Sequence, residues 1–360
     1  MAVRSQACSR GARFERFLTE CGGKLFAGKL FVPRRVGKEK PNGMLRIFNT
    51  ENSRTRQTEN PVAGCWVSLT DPSDSELAGI ADSCSVDLAD LRAPLDDEER
   101  SRIDVEDDYT MIIVDIPAVE ERDGRDRYET IPLSIILTSD AIITVCSRDT
   151  SLLRPFMEGS VRGFNTFMKS RFVLQILYRN ATEYLRYLRI IDKETDKLEL
   201  RLRDSMQNRE IVHLMELNKA LVYFTTSLKS NEIVLERLTS IGRIRRYSDD
   251  EDLLDDVIVE NKQAIEMASI YQSVLQGMTD AFASIVSNNV NNVMRIFTVI
   301  SIVLDVPTLI FSMYGMNFQD GGMLGMPLTG SRWGFILIVV ASMVLSGVVG
   351  WFLTRSKSFR

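Results

Sequence analysis

Two apolar segments near the carboxyl end restrict the fold of this chain more than any other feature. Residues 296–313 and 333–353 each approach the roughly 20 residues that an α-helix needs to cross a hydrocarbon core of about 30 Å. Asp305 is the only charged residue within either segment, and no comparable run occurs earlier. The sequence therefore predicts two transmembrane helices in a lipid bilayer, joined by a loop over residues 314–332.

Basic residues predict the orientation of this pair. Lys and Arg are enriched on the cytoplasmic side of membrane helices. Here they lie just before the first segment and in the tail over residues 354–360. We therefore expect a multi-pass protein of the cell (inner) membrane, with both termini in the cytoplasm and the loop outside. The residues expected to form a basic ring at the cytosolic face are Arg295, Arg355, Lys357 and Arg360.

Polar residues of the first segment fall on one face of the predicted helix. Five of them recur at steps of 3, 4, 3 and 4 residues, and the same rhythm reaches back to two more. Small polar residues can serve helix packing in membranes, but a carboxylate at mid-depth is costly unless it meets water, a cation or a partner. Asp305 therefore favours a pore, which several copies would have to enclose. The polar stripe consists of Asn291, Met294, Thr298, Ser301, Asp305, Thr308 and Ser312.

Pro307 interrupts the hydrogen bonding of the same helix. Because proline has no backbone N–H, the carbonyl near Val303 loses its helical partner and the helix is expected to kink. A water-filled pore could hydrate the freed carbonyl.

The first segment closes on Tyr314-Gly315-Met316-Asn317, which places a turn and an amide side chain where the helix leaves the membrane. Mg²⁺ gives up its waters reluctantly, so a ring of neutral asparagine oxygens suits a hydrated ion better than a charged cage does. A helix cap with Gly315 as the turn residue is the simpler interpretation. The two interpretations are compatible.

The rest of the chain predicts an α+β cytosolic domain joined to a long α-helical stalk and two C-terminal transmembrane helices. The third long helix starts near Asp249 and meets no proline before Pro307. Continued to the end of the first apolar segment, it spans about 65 residues or roughly 95 Å. Predicted strands cover 45–48, 65–69, 109–116, 128–137 and 141–146, with a hairpin at Gly124 and a capped helix over 73–84. The predicted segments are a disordered basic extension at 1–43, the α/β domain at 44–160, the stalk at 161–295, the pore helix at 296–313, the outer loop at 314–332, the second membrane helix at 333–353 and the tail at 354–360.

Four aspartates belong to acidic clusters with two interpretations. Charge runs are usually solvated, and acidic residues favour a helix N-terminus. The alternative is that they bind divalent cations between subunits. The four are Asp96, Asp97, Asp256 and Asp280.

Several function classes are excluded. The chain has one histidine and five scattered cysteines, and it carries none of the common nucleotide-binding or hydrolase motifs. It is therefore not expected to be an enzyme. The basic extension lacks interleaved aromatic residues, so nucleic-acid binding is not expected either.

The motif at 314–318, together with residues 287–317, the second apolar segment and the basic tail, resembles the CorA family of magnesium channels. The resemblance covers the chain from about Met44. It implies a funnel-shaped homopentamer whose first membrane helix lines the pore, with Gly315 and Asn317 at the selectivity site. It also implies that Asp256 and Asp280 sense intracellular magnesium, with Asp96 or Asp97 as a partner.

Asp305 departs from some relatives of this family, which carry methionine there, so an extra cation site is expected. The resemblance implies Mg²⁺ as both transported and regulatory ion. Transport of Co²⁺, Ni²⁺ or zinc, and a membrane-anchored scaffold that conducts nothing, are the alternatives.

Overall fold

The structure is a computed structural model that describes residues 44–51, 54–59, 62–122, 124–204, 208–241, 248–315 and 333–355. The predictions for the extension over 1–43, for most of the outer loop, and for Met316, Asn317, Lys357 and Arg360 lie outside the described residues. The chain divides into two compact units, Met1–Gln276 and Gly277–Arg360.

A seven-stranded sheet organises the first unit. Its order is β2-β1-β3-β7-β6-β5-β4, and only β3 and β7 pair in parallel among the described strands. The strands are β1 (Met44–Glu51), β2 (Arg54–Gln57), β3 (Cys65–Thr70), β4 (Arg102–Val105), β5 (Tyr109–Arg122), β6 (Arg125–Thr138) and β7 (Ala141–Cys146).

The two strands that the sequence does not predict are β2 and β4. Each is four residues long and lies at an edge of the sheet. Edge strands are commonly short and charged, so they lack the run of alternating apolar residues on which strand prediction depends. By contrast, the hairpin predicted at Gly124 joins β5 to β6, and Gly124 adopts a φ of 73°.

Helices cover both faces of the sheet. Side chains alternate along each strand, so Trp66 packs in one core while Val67 packs in the other. The short helices α1 (Asp74–Cys84) and α2 (Leu88–Arg92) cover the face of Val67. The sequence predicts a capped helix here, and Ser73 caps α1 by accepting from the Glu76 amide. The Glu76 side chain in turn accepts from the Ser73 amide, which completes a capping box.

The other face carries the short helix α3 (Arg154–Met157) and two long helices, α4 (Lys169–Asp204) and α5 (Asn208–Ser240). Trp66 lies at the centre of this core, fully buried. Its ring packs on Phe48 and Phe172, and its indole N–H donates to Thr144 Oγ1 at 2.9 Å.

Helices α4 and α5 run antiparallel, because pairs along them approach in reverse order. Tyr184 packs on Phe224 at 5.2 Å between ring centroids, and Arg201 lies 3.9 Å from Glu210. The sequence predicts a helical stalk over 161–295. Within it Ile191 and Leu198 are buried, and α4 and α5 share a core with the sheet. The apolar residues of α4 and α5 recur at helical spacing between charged residues, so they form no continuous apolar run in the sequence.

Two further helices complete the described part of the chain. Helix α6 (Ser248–Tyr314) contributes Leu254 and Val257 to the core of the first unit, and its later part belongs to the second unit. Helix α7 (Gly334–Arg355) lies wholly in the second unit. Both α6 and α7 are long and apolar enough to cross a membrane.

Candidate functional site

The polar stripe lies on an open face of α6. In the isolated chain Thr298, Asp305, Thr308 and Ser312 are exposed, and Ser301 is half-buried. The hydroxyl of Thr298 donates to Met294 O at 2.8 Å, and that of Thr308 donates to Leu304 O at 2.9 Å. These hydroxyl protons are satisfied within the helix, so the oxygen lone pairs and the Asp305 carboxylate remain as outward-facing acceptors.

The opposite face of α6 packs against α7. Val303 is five residues after Thr298 and two before Asp305, which places it about 140–160° around the helix from either residue at 100° per residue. Ser346 of α7 donates its hydroxyl to Val303 O at 2.6 Å. A Cβ on Gly350 would lie 3.0 Å from Val303 Cγ2. Helix α7 therefore covers the back of α6 and leaves the stripe uncovered.

This contact corrects one expectation for Pro307. Pro307 does lie inside α6, and the carbonyl that it frees belongs to Val303. That carbonyl was expected to face pore water. It accepts the Ser346 hydroxyl instead, because Val303 lies on the side of the helix that faces α7.

The sequence analysis missed this contact between the two helices. A signal for it was present, since Ser342, Ser346 and Gly350 recur every fourth residue of the second apolar segment. Small residues at that spacing let membrane helices approach closely. Ser342 and Ser346 are both buried, and Ser346 contacts α6.

The end of α6 corresponds to the start of the Tyr-Gly-Met-Asn motif. Tyr314 is the last helical residue, and the Gly315 N–H donates to Phe311 O at 2.9 Å and Ser312 O at 3.2 Å. Gly315 does not adopt a positive φ, and a Cβ there would lie 3.5 Å from these two oxygens, an ordinary contact. Gly315 therefore forms the turn at the helix end without the left-handed conformation that favours glycine, and the backbone does not itself require glycine.

The predicted basic ring is described at two of its four positions. Arg295 donates to Asn292 Oδ1 at 2.8 Å on the surface of α6, near the exposed Asn291 and Met294. Arg355 lies over the Trp351 ring, 5.0 Å from its centroid. A tryptophan beside an arginine at a helix end is typical of a membrane interface.

Asp96 and Asp97 follow α2 in the first unit and differ in their contacts. Asp97 forms an ion pair with Arg148 at 3.3 Å, and Arg148 also pairs with Glu129. Partial burial lowers the pKa of Arg148, but Glu129 and Asp97 together raise it above its ordinary value. Asp96 is exposed and accepts the Glu98 amide at 3.0 Å. Asp96 is thus the more accessible carboxylate.

Asp256 and Asp280 are both exposed on α6 and belong to different units. Among the residues that the structure describes, no three Asp, Glu, His or Cys side chains come together as a metal site. One described chain therefore does not assemble the four predicted regulatory aspartates into a metal cage.

Comparison with known proteins places this arrangement in a family. Residues 63–355 match the family model described as CorA-like Mg²⁺ transporter protein. The chain belongs to the CorA family. The family consists of transporters and channels, so the prediction that the chain is not an enzyme is confirmed. CorA membership and two membrane-length helices also confirm a divalent-metal transporter in a membrane.

Individual CorA relatives support the same family assignment. The cobalt/magnesium transport protein CorA of Methanocaldococcus jannaschii is 27% identical over 300 residues, 81% of this chain and 90% of the relative. That of Thermotoga maritima is 21% identical over 270 residues, covering 72% and 73%. The complete structure of the CorA magnesium transporter from M. jannaschii superposes with a TM-score of 0.71 at 22% identity, covering 89% of this chain and 99% of that one. The predicted α+β domain, long helix and two apolar C-terminal helices are thereby confirmed, whereas the homopentamer stays a prediction.

Proposed function

We propose that this protein is a magnesium channel in which five copies surround a pore lined by the polar stripe of α6. The observation that carries the proposal is that the two faces of α6 differ. Helix α7 packs on one face at Val303, and the other face carries the exposed residues Thr298, Asp305, Thr308 and Ser312. A charged carboxylate facing lipid would be costly, whereas around a shared axis it meets water and cations. Asn291 and Met294 extend the stripe towards the cytosol.

Mg²⁺ would flow passively, driven by the membrane potential. Two charges moving across 100 mV gain about 4.6 kcal/mol, which suffices for uptake without another energy source. The flow would be inward, because the membrane potential is negative on the cytoplasmic side. Both termini would lie in the cytoplasm, with the basic ring of Arg295, Arg355, Lys357 and Arg360 at the inner face. The protein would reside in the cell membrane.

Selectivity is assigned to Tyr314, Gly315, Met316 and Asn317 at the outer end. The Asn317 oxygens of five copies would hold Mg²⁺ with its waters still bound. A glycine that the backbone does not require at 315 supports a role for that position in the mouth of the pore. Deeper in, Asp305 would supply a second, charged cation site.

Intracellular Mg²⁺ would close the channel by binding between neighbouring copies. Asp256 and Asp280 are exposed on α6 and Asp96 is exposed in the first unit, so each is accessible to a neighbour. Asp97 is the weaker candidate, because it is already paired with Arg148. Bound Mg²⁺ would therefore be both cargo and regulator.

The test combines copy number with flux. Native mass spectrometry of the detergent-solubilised chain should give five copies, and proteoliposomes loaded with a magnesium dye should show uptake driven by an inside-negative potential. Asn317→Ala should reduce Mg²⁺ uptake at least tenfold, whereas Gln319→Ala, which removes an amide two residues away, should retain most of it.

Wild-type uptake through Asn317→Ala would contradict the selectivity assignment. A copy number other than five would contradict the pore geometry. A stable assembly without any cation flux would support the scaffold instead.

Cobalt is the second candidate cargo, because two relatives are named cobalt/magnesium transport proteins. Competition of Co²⁺, Ni²⁺ and Zn²⁺ with Mg²⁺ uptake in the same liposomes distinguishes the ions.

A further inference from the structure

One hydrogen bond between the two membrane helices uses a backbone carbonyl that Pro307 leaves without a helical donor. Pro307 cannot donate to the carbonyl four residues before it, so Val303 O has no helical partner. Val303 lies in the middle of the first apolar segment, where no water is available on the lipid side, and an unsatisfied carbonyl there is costly. Ser346 supplies the missing donor at 2.6 Å.

The surrounding side chains bring the two helices close enough for this bond. Gly350 follows Ser346 by one turn, and even a single methyl group there would lie only 3.0 Å from Val303 Cγ2. Ser346 is 6% exposed and Ser342, one turn earlier, is 1% exposed. Ser342 differs in one respect: its hydroxyl donates to Val339 O of its own helix at 2.9 Å.

The bond is made on the face of α6 opposite the polar stripe. Because Val303 lies about 160° around the helix from Asp305, a fixed contact at Val303 also fixes the rotation of α6. Proline is where a helix bends most readily, so the rotation of the stripe at mid-membrane depends on what holds the carbonyl next to the bend.

We propose that Ser346 is a positioning residue for the pore: by donating to the carbonyl that Pro307 frees, it fixes the rotation of α6 against α7 and so directs Asp305 and Thr308 towards the pore axis. The flux part of this proposal rests on the proposed function; the hydrogen bond does not.

The test is a double-mutant cycle in the full-length protein. Ser346→Ala removes the donor, and Pro307→Ala restores a backbone N–H that can satisfy Val303 O within its own helix. Ser346→Ala should shift the unfolding equilibrium in detergent about threefold towards the unfolded state, the effect of an average hydrogen bond between membrane helices. It should also lower Mg²⁺ uptake in proteoliposomes. In the Pro307→Ala background the same substitution should change neither.

Two further variants separate positioning from packing. Ser342→Ala removes a buried hydroxyl from the same face of α7, and should leave uptake and unfolding unchanged because its bond lies within α7. Ser346→Cys keeps the size but weakens the donor, and should fall between wild type and Ser346→Ala. Loss of packing alone would not be repaired by Pro307→Ala.

An equal loss from Ser346→Ala in both backgrounds, or an equal loss from Ser342→Ala, would overturn the proposal. If wild type carries no Mg²⁺, the proposed function fails, while the unfolding arm of the cycle still decides whether Ser346 holds the Val303 carbonyl.

Discussion

Asp115 on β5 shows how one residue can join three elements. Its backbone N–H donates to Asn231 Oδ1 at 2.9 Å, and its carbonyl accepts from Asn180 at 2.9 Å and from Asn231 at 2.8 Å. These bonds connect β5 to both α4 and α5. Burial raises the pKa of the Asp115 carboxyl above its ordinary value of 3.8, although hydrogen bonds from Ser227 and Ser101 oppose the shift.

The raised pKa of Asp115 predicts how the contribution of this residue to folding stability depends on pH. The folded state holds the Asp115 proton more tightly than the unfolded state, so the contribution of Asp115 is most favourable below pH 3.8 and is lost as pH rises through the folded pKa. Asp115→Asn stays neutral and should therefore unfold at a higher temperature than wild type at about pH 7. The gap should narrow as pH falls towards about 4.

Thermal unfolding of the full chain in detergent at several pH values measures this effect. Asp126→Asn, an exposed carboxyl on the adjacent strand, is the control and should show no comparable change with pH. A gap between Asp115→Asn and wild type that does not depend on pH would contradict the burial of the charge as its cause.

At the scale of elements, the contact between α6 and α7 depends on small side chains. Ser342, Ser346 and Gly350 form one face of α7, and Val303 of α6 fits against it. Without a hydrophobic effect inside the bilayer, close packing and interhelical hydrogen bonds hold such helices together. One side of α6 is thereby used for packing, which leaves the polar stripe for another role.

Two glycines of α7 give a matched prediction. Gly350→Ala places a methyl group 3.0 Å from Val303 Cγ2, and overpacking of this kind costs about 1–3 kcal/mol. At Gly347 a methyl group meets nothing within 4 Å, so Gly347→Ala should be neutral or stabilise by up to about 1 kcal/mol through helix propensity. In detergent, the thermal midpoint of Gly350→Ala should fall, whereas that of Gly347→Ala should stay unchanged or rise. Equal midpoints for the two variants would contradict the contact.

At the scale of the whole molecule, the first unit is a sheet with helices on both faces, and α6 passes from this unit into the second. The predicted boundary between an α/β domain at 44–160 and a stalk at 161–295 differs from the division into units, which falls between Gln276 and Gly277. Packing of α4 and α5 on the sheet makes one core out of both predicted segments.

The proposed regulation by Mg²⁺ predicts a change in protease protection of the full-length assembly. Millimolar Mg²⁺ should slow tryptic cleavage of wild type, because ions bridging neighbouring copies restrain local opening. Asp256→Ala should remove most of this protection. Asp255→Ala, which deletes an adjacent exposed carboxylate, should retain it. Equal digestion of wild type with and without Mg²⁺ would count against a regulatory site.

Much of the fold could be predicted, because long apolar segments and β-branched runs are visible in the sequence itself. The two membrane helices follow from apolar length, and the central strands follow from β-branched runs such as Ala141–Cys146. The edge strands β2 and β4 could not be predicted, since pairing with a neighbour, rather than their own composition, makes them strands. The burial of Ile191 was missed because charged neighbours surround it in the sequence.

For the candidate site, the sequence alone determined which residues share the polar stripe, because helical periodicity depends only on spacing. The spacing of three and four residues from Asn291 to Ser312 and the position of Asp305 can both be read directly from the sequence. Only the tertiary structure decided which side of α6 the second membrane helix covers. That choice depends on Val303 meeting Ser346, which is 43 residues later, and Gly350, which is one turn beyond Ser346. The freed carbonyl of Val303 does not itself indicate in the sequence which donor will reach it.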